Sequence, residues 1–333
     1  MKFSNRDYRL DWLRFFAISM IVLIHSPYPY YELDGSILIT GISYFSVPGL
    51  VLFFMISGSL LLEETLSTKD FLKRRFSKVL WPTLFWSCFY IIVRLSTRTL
   101  SVNEIVKSFL SIPFSPQGEG VLWFMYTLSG LYLLTPILSR WLKTASKREV
   151  EFYLLLWGVT LLYPYLTLVL KVGSSTSGIL YYFTGYVGYY VLGYYLKRYY
   201  KKINFLHILA SIFFAIAIPA AIYCSGIEFD FYSMLWCLSL PVALMAFCLY
   251  MMFMRLPNKY SSFAVNASKL SFGVYLVHMF FLKRIIWNLD FICDMPGLSL
   301  MQTLAIMLIT LFVSYFVVWL ISKLPFSKYL IGV

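Results

Sequence analysis

Apolar and polar positions alternate along this chain in blocks too long for strands and too uniform for surface helices. Ten predominantly apolar runs, near 10–27, 43–63, 79–96, 122–139, 152–170, 179–196, 206–223, 232–254, 270–289 and 301–322, are separated by short polar connections. A run of roughly 20 such residues is the length an α-helix needs to cross the hydrocarbon core of a bilayer. Inside that core each backbone N–H and C=O must be satisfied within its own segment, which favours helices. The pattern therefore predicts an all-α fold, a polytopic membrane helix bundle of about ten transmembrane helices. No connection is long enough to hold a folded soluble domain. Residues 1–333 read as a single integral-membrane domain, with any chemistry inside the bundle or at its two faces.

Composition strengthens this reading. The chain is 60% hydrophobic and only 13% charged, too few charges to build a water-facing surface and too much apolar mass for disorder. The formal charge of +13 suggests nucleic acid in a soluble protein; here it follows topology, since cytoplasmic loops gather Lys and Arg. One alternate set of connections holds Lys2, Arg6 and Arg9; Lys69, Lys73, Arg74, Arg75 and Lys78; Arg140, Lys143, Lys147 and Arg148; Lys197, Arg198, Lys201 and Lys202; Arg255, Lys259 and Lys269; and Lys323 and Lys328. The other set holds only Arg98, Lys107, Lys171, Lys283 and Arg284. Both termini are expected in the cytoplasm, and no nucleic-acid partner is expected. The first run is read as a retained signal anchor, because Arg14 interrupts it and His25-Ser26-Pro27-Tyr28 is a poor cleavage site.

Cys88, Cys224, Cys237, Cys248 and Cys293 form no CxxC pair, and the three histidines are scattered, so no metal-site spacing appears. The cysteines read as small core residues, with a Cys224–Cys293 disulfide left open.

The first run carries the residues that do not belong in a plain membrane span. Asp11 and Arg14 stand three apart and can pair. Arg14 and His25 stand eleven apart, close to three helical turns, so they share a face about 16 Å apart along the axis. Ionisable groups at such positions are costly and mark functional sites. A neutral imidazole there can act as general base toward a hydroxyl. The competing reading is a snorkelling arginine and an interfacial histidine. His278, inside Ser271-Phe-Gly-Val-Tyr-Leu-Val-His278, is a candidate for packing a polar core or touching a ligand. His207, beside a basic loop, reads as interfacial.

Before the third run, Arg75 and Lys78 share a helical face beside Arg74, with Asp70 as the expected helix cap. Two cations so placed can clamp phosphates, although a basic loop explains the charge equally well. The tyrosine-rich sixth run, Tyr181 to Tyr195, reads as packing before sugar stacking. Its glycines Gly178, Gly185, Gly188 and Gly193 suggest close helix contacts. Glu32, Asp34, Glu119, Glu228 and Asp230 stand at the expected outer face.

Five segments occur in a recognisable order: Arg9-Leu-Asp11-Trp-Leu-Arg14 followed by His25; Phe53-Phe-Met-Ile-Ser57-Gly58; Arg75-Phe-Ser-Lys78-Val-Leu-Trp-Pro82; Leu122-Trp123-Phe-Met-Tyr126 running on to Pro136; and Ser271-Phe-Gly273-Val-Tyr275-Leu-Val-His278. Together they resemble the acyltransferase-3 family of bacterial membrane O-acyltransferases, over about the first 280 residues. The resemblance implies a multi-pass protein of the bacterial cytoplasmic (inner) membrane. It also implies transfer of an acyl group, usually acetyl, from cytoplasmic acyl-CoA to a hydroxyl of a surface polysaccharide or lipid-linked glycan on the outer side. Acyl-CoA is then a donor substrate and acetyl-CoA its expected form, with no bound cofactor and no metal. The other partners are the glycan or glycolipid acceptor and membrane lipids. His25 matches the family's essential first-span histidine and Arg14 its essential arginine. Arg75 and Lys78 match the basic pair thought to hold the CoA nucleotide.

Two departures stand out. The second member of that basic pair is Lys78 where the family often has Arg, and Val121 stands where many members carry His. Ser57, Trp123 and Tyr126 are candidate oxyanion donors, and Asp11, Tyr275 and His278 further pocket residues. The alternative is a transporter or flippase of glycans or small solutes, against which stands the lack of inverted repeats or paired broken helices.

Overall fold

In a computed structural model of the chain, the described residues are 6–27, 37–64, 66–97, 100–116, 122–171, 178–227, 230–293 and 300–333. Among them no strand occurs. The first half comprises α1 (Tyr8–His25), α2 (Ile37–Ser46), α3 (Pro48–Leu61), α4 (Thr68–Phe71), α5 (Ser77–Leu95), α6 (Val102–Leu110), α7 (Trp123–Thr144), α8 (Lys147–Thr160) and α9 (Tyr163–Leu170). The second comprises α10 (Val187–Tyr199), α11 (Phe205–Cys224), α12 (Phe231–Met234), α13 (Leu240–Arg255), α14 (Ser262–Arg284), α15 (Asp290–Cys293), α16 (Leu300–Ile321) and α17 (Ser327–Ile331).

Each of the ten apolar runs carries helix. Among the described residues six helices are long and apolar enough to cross a membrane: Ile37–Leu61, Thr68–Leu95, Lys147–Leu168, Phe205–Cys224, Ser262–Asn288 and Leu300–Ile321. The other four runs differ for local reasons. α1 places Arg9, Asp11 and Arg14 within 18 residues, and α13 has only 16. α7 is interrupted by Tyr, Thr and Ser. The sixth run is α-helical only from Val187, after a 3-10 turn at Tyr181–Phe183 and a bend in which Gly185 takes φ 94°.

Contacts divide the chain into two compact units. One comprises residues through Glu64 with Ile137–Val265; the other comprises Thr65–Pro136 with Asn266–Val333. Of the three boundaries, the first falls between α3 and α4 and the other two fall inside α7 and α14.

In the first unit α3 is the central helix. Its sequence is apolar on every face and it is buried along almost its whole length, as expected of a helix with no polar side to show. It packs on α1, α10 and α13. The approach to α10 is backbone to backbone. A Cβ on Gly58 would collide with the main chain of Tyr190, and one on Gly193 with that of Met55. This small-residue contact replaces the hydrophobic drive that helices lack in lipid. Tyr189, Tyr190 and Tyr194 are buried here, and the Tyr189 hydroxyl donates to the Cys237 carbonyl. Tyr181 and Tyr182 are exposed. Cys237 and Cys248 are buried, Cys88 is half-buried and Cys224 exposed; the side chain of Cys293 lies outside the described residues.

The second unit is held by long-range side-chain bonds. The Tyr90 hydroxyl donates to the Leu276 carbonyl at 2.8 Å, and the Trp86 indole to the Leu330 carbonyl at 2.8 Å. The latter ties α17 to α5. Gly273, from the fifth sequence segment, lets α14 approach Val318 of α16 and Ile331 of α17 where any side chain would clash.

Candidate active site

α1 starts at Asp7, whose carboxylate accepts from the Arg9 backbone N–H and takes the Arg9 guanidinium on both oxygens. Arg9 also donates to the Met254 carbonyl at 2.7 Å, at the end of α13, and its guanidinium stands over the Tyr200 ring. A cation at a helix C-terminus meets the negative end of the dipole, so Arg9 fastens α1 to α13. Asp11 is buried, and its bidentate partner is Arg6, at 2.7 and 2.9 Å. That bond holds the Arg6 pKa above its ordinary value. The i,i+3 spacing offered Arg14; the structure gives Asp11 a cation from the segment ahead of the helix, whose fork meets both carboxylate oxygens at once. Two charged members of the first segment, Arg9 and Asp11, thus anchor the helix.

Arg14 and His25 are the other two candidate residues of this helix. α1 is unbroken from Tyr8 to His25, so the two lie on nearly one stripe, both half-buried. His25 closes the helix, and its Nδ1 lies 2.7 Å from the Ile21 carbonyl. A carbonyl can only accept, so Nδ1 carries a proton and a neutral ring keeps its lone pair on Nε2. Ser26 follows as the cap, buried, with its hydroxyl donating to Val22. Ser57 lies on α3, the helix packed on α1, and is buried.

The basic segment has a feature that residue spacing does not reveal. Between α4 and α5 the backbone makes a π-helical turn over Leu72–Phe76, closed by the Ser77 N–H donating to Leu72, five residues back. Lys73, Arg74 and Arg75 stand on this wide turn, and Lys78 on the first turn of α5. Such single turns recur at functional sites. The extra residue rotates the charges before it relative to those after it. Arg75 is half-buried, while Arg74 and Lys78 are exposed. The helix cap ahead of this turn is Ser67, which accepts from the Asp70 N–H and donates its hydroxyl to the Asp70 carboxylate. Asp70 was the expected cap; it sits instead at the third helical position, its carboxylate accepting from the Ser67 hydroxyl.

Trp123 and Tyr126 open α7. The Tyr126 hydroxyl donates to the Ile112 carbonyl at 2.6 Å and lies 3.3 Å from the Ser87 hydroxyl. A phenol has one proton, and here the backbone has it. Tyr126 therefore fastens α7 to the segment after α6. Trp123 is half-buried beside Phe124. Tyr275 is buried with its ring 5.0 Å from Phe124 and 5.7 Å from His278. His278 is fully buried, with Nδ1 2.7 Å from the Tyr275 carbonyl.

Asp230 caps α12 by accepting from Tyr232 and Ser233. His207 is exposed in the first turn of α11. Glu32, Asp34, Glu119, Val121 and Glu228 lie outside the described residues. Among the described residues no three His, Cys, Asp or Glu side chains gather as a metal site.

With this geometry in view, the comparison with protein families is decisive. The family model for the acyltransferase domain matches residues 7–322. The chain belongs to the acyltransferase-3 family. The match takes in α1 through α16 and so includes both units. The protein is a multi-pass membrane acyltransferase. No curated protein and no solved structure matches it.

Proposed function

We propose that this acyltransferase moves an acetyl group from cytoplasmic acetyl-CoA to a hydroxyl of a lipid-linked or polymeric envelope glycan, with His25 as general base. One observation carries the assignment of the base: the Nδ1 bond to Ile21, which makes Nε2 the basic nitrogen of the neutral ring. In the reaction Nε2 takes the proton of the acceptor hydroxyl as its oxygen attacks the thioester carbon. A C–O bond forms, the C–S bond breaks, and the imidazolium returns its proton to the departing CoA thiolate. A route through an acyl-histidine uses the same nitrogen as nucleophile.

Arg75 and Lys78 hold the phosphates of CoA, with Arg74 beside them. The π-turn supports this role, since it fans three consecutive cations. Arg14 orients the donor along the stripe that ends in His25. The order and spacing of the segments resemble the O-acetyltransferase of enterobacterial common antigen, which favours a lipid-linked glycan acceptor at the bacterial inner membrane. The alternating basic connections favour cytoplasmic termini.

The test is label transfer in inverted membrane vesicles. Acetyl-labelled acetyl-CoA is supplied with native envelope glycans, and alkali-labile label is followed with wild type and with His25→Ala. Transfer that disappears in the folded variant supports the reading. Transfer that persists removes His25 as base, and absence of transfer from any acyl-CoA by wild type removes the donor.

A further inference from the structure

Between α7, α8 and the start of α10, within the first unit, lies a cavity of about 250 Å³. Trp141, Tyr153, Trp157, Tyr182, Phe183 and Val187 are among its lining residues, and its walls are almost wholly apolar. The Trp157 indole N–H is already donated to the Gly185 carbonyl at 2.9 Å, so it adds no polar demand. An apolar cavity of about 150 Å³ already stays dry and admits benzene; this one has room for a longer stretch of hydrocarbon. Tyr153 and Tyr182 line it and are also exposed, and Phe152 and Leu155 nearby are exposed as well. The cavity thus opens onto an apolar surface, which in a membrane protein is the side of the lipid.

The turn joining α7 to α8 supplies the second observation. Lys143, Lys147 and Arg148 are exposed there, with Arg140 one turn earlier. The acidic groups nearby are already engaged. Glu149 closes a capping box with Ser146, and Glu151 takes Lys147 at 3.1 Å and the Tyr195 hydroxyl. Among the described residues neither Lys143 nor Arg148 is in an ion pair. From Lys147 to Tyr153 is six residues of helix, about 9 Å. The headgroup layer on each side of a bilayer is roughly 5–8 Å deep. A lipid whose phosphate meets the basic turn therefore has its first methylenes at the level of the aromatic cavity.

We propose that this cavity holds an acyl chain of an anionic membrane phospholipid whose headgroup rests on Lys143 and Arg148. The site is distinct from the residues given roles in acyl transfer and does not depend on that chemistry.

The test uses the full chain in vesicles of phosphatidylcholine with a minor fraction of phosphatidylglycerol, one of the two lipids carrying bromine in mid-chain. Bromine quenches tryptophan on contact, and subtracting the Trp141→Phe and Trp157→Phe spectra isolates the cavity signal. The expected result is quenching several-fold stronger with brominated phosphatidylglycerol than with brominated phosphatidylcholine at equal fraction. Removing the charges in Lys143→Gln with Arg148→Gln lowers the preference about fivefold per charge. Val187→Phe, which fills the cavity, weakens quenching by both lipids. Should Val187→Phe fail to fold, the surface charge variant still decides. Equal quenching by the two lipids in folded wild type, or a preference that survives the charge variant, overturns the proposal. Displacement of the phosphatidylglycerol by a polyprenyl-linked glycan also overturns it, and assigns the cavity to the acceptor's tail.

Discussion

His25 in one unit and His278 in the other set Nδ1 2.7 Å from a carbonyl of their own helix, Ile21 and Tyr275 respectively. The bond fixes the same tautomer in both rings, yet their surroundings differ. His25 is the last residue of α1 and half-buried; His278 lies well inside α14, fully buried against the Tyr275 ring. A general base must meet a substrate proton at hydrogen-bond distance, so access separates two imidazoles that bonding alone does not. A buried, ring-packed histidine fills volume and satisfies a carbonyl. One at a helix end can change partners without unmaking a core.

The comparison breaks or holds on a pair of substitutions with the largest expected effect. His25→Ala removes the proposed base and is expected to lower kcat by about 10²–10⁴-fold, with the thermal midpoint of the purified protein little changed. His278→Ala is expected to do the reverse, costing about 2–4 kcal/mol of stability through a cavity. Material that remains folded keeps kcat within roughly tenfold of wild type, well short of the loss of a base. Label transfer and thermal unfolding on the same preparations read both effects. If the losses are exchanged between the two variants, the assignment of roles is wrong.

Next in size is a contrast in packing. Gly58→Val pushes a branched side chain into the backbone of Tyr190. Overpacking a tight contact costs about 1–3 kcal/mol, and more where backbone itself is the obstacle. Gly130→Ala, at a helical glycine with open space around it, is expected to be neutral or stabilising by up to about 1 kcal/mol. Yield of monodisperse protein in detergent separates the two. A well-folded Gly58→Val protein would show that α3 and α10 do not depend on their close approach.

Much of this was legible in the sequence, and the gaps have physical causes. Ten apolar runs mark ten helical regions because length and hydropathy are summed over many residues and tolerate local error. The Arg14–His25 stripe was legible because α1 is continuous, and helical periodicity holds as long as the helix does. At the basic segment the π-turn at Leu72–Phe76 departs from that periodicity, and no residue type announces it. The partner of Asp11 was also out of reach. Pair rules within a helix consider Arg14, while Arg6 approaches from outside the helix where those rules do not apply. Tyr126 is a candidate donor because its residue type permits it. Only the Ile112 carbonyl, brought close by tertiary structure, shows where its proton goes.

The basic turn gives a smaller effect, confined to donor binding. Arg75→Ala is expected to raise KM for acetyl-CoA about 10–30-fold with kcat within a few-fold, since the proposed phosphate contact, remote from the thioester, would contribute uniform binding. Lys78→Arg restores a bidentate fork and is expected to lower KM by up to about threefold. Steady-state kinetics with acetyl-CoA varied at fixed acceptor measure both. A loss confined to kcat in Arg75→Ala places the arginine at the reacting group, contrary to the proposed division of labour between α1 and the turn.

The smallest expected effect concerns Tyr126 and decides whether α7 contributes chemistry or only structure. Its hydroxyl spends its proton on Ile112 and neighbours Ser87. Tyr126→Phe keeps the ring and removes one hydrogen bond, worth about 0.5–1.5 kcal/mol with somewhat more if the carbonyl is left bare. As a fastening, it is expected to lower the thermal midpoint by a few degrees while kcat stays within threefold. An oxyanion donor behaves otherwise: losing one costs about 10²–10³-fold in kcat with stability unchanged. The two outcomes differ in which quantity moves, so a single variant assayed for unfolding and for label transfer distinguishes them. A hundredfold loss of kcat at unchanged stability would mean that the phenol leaves Ile112 when substrate binds.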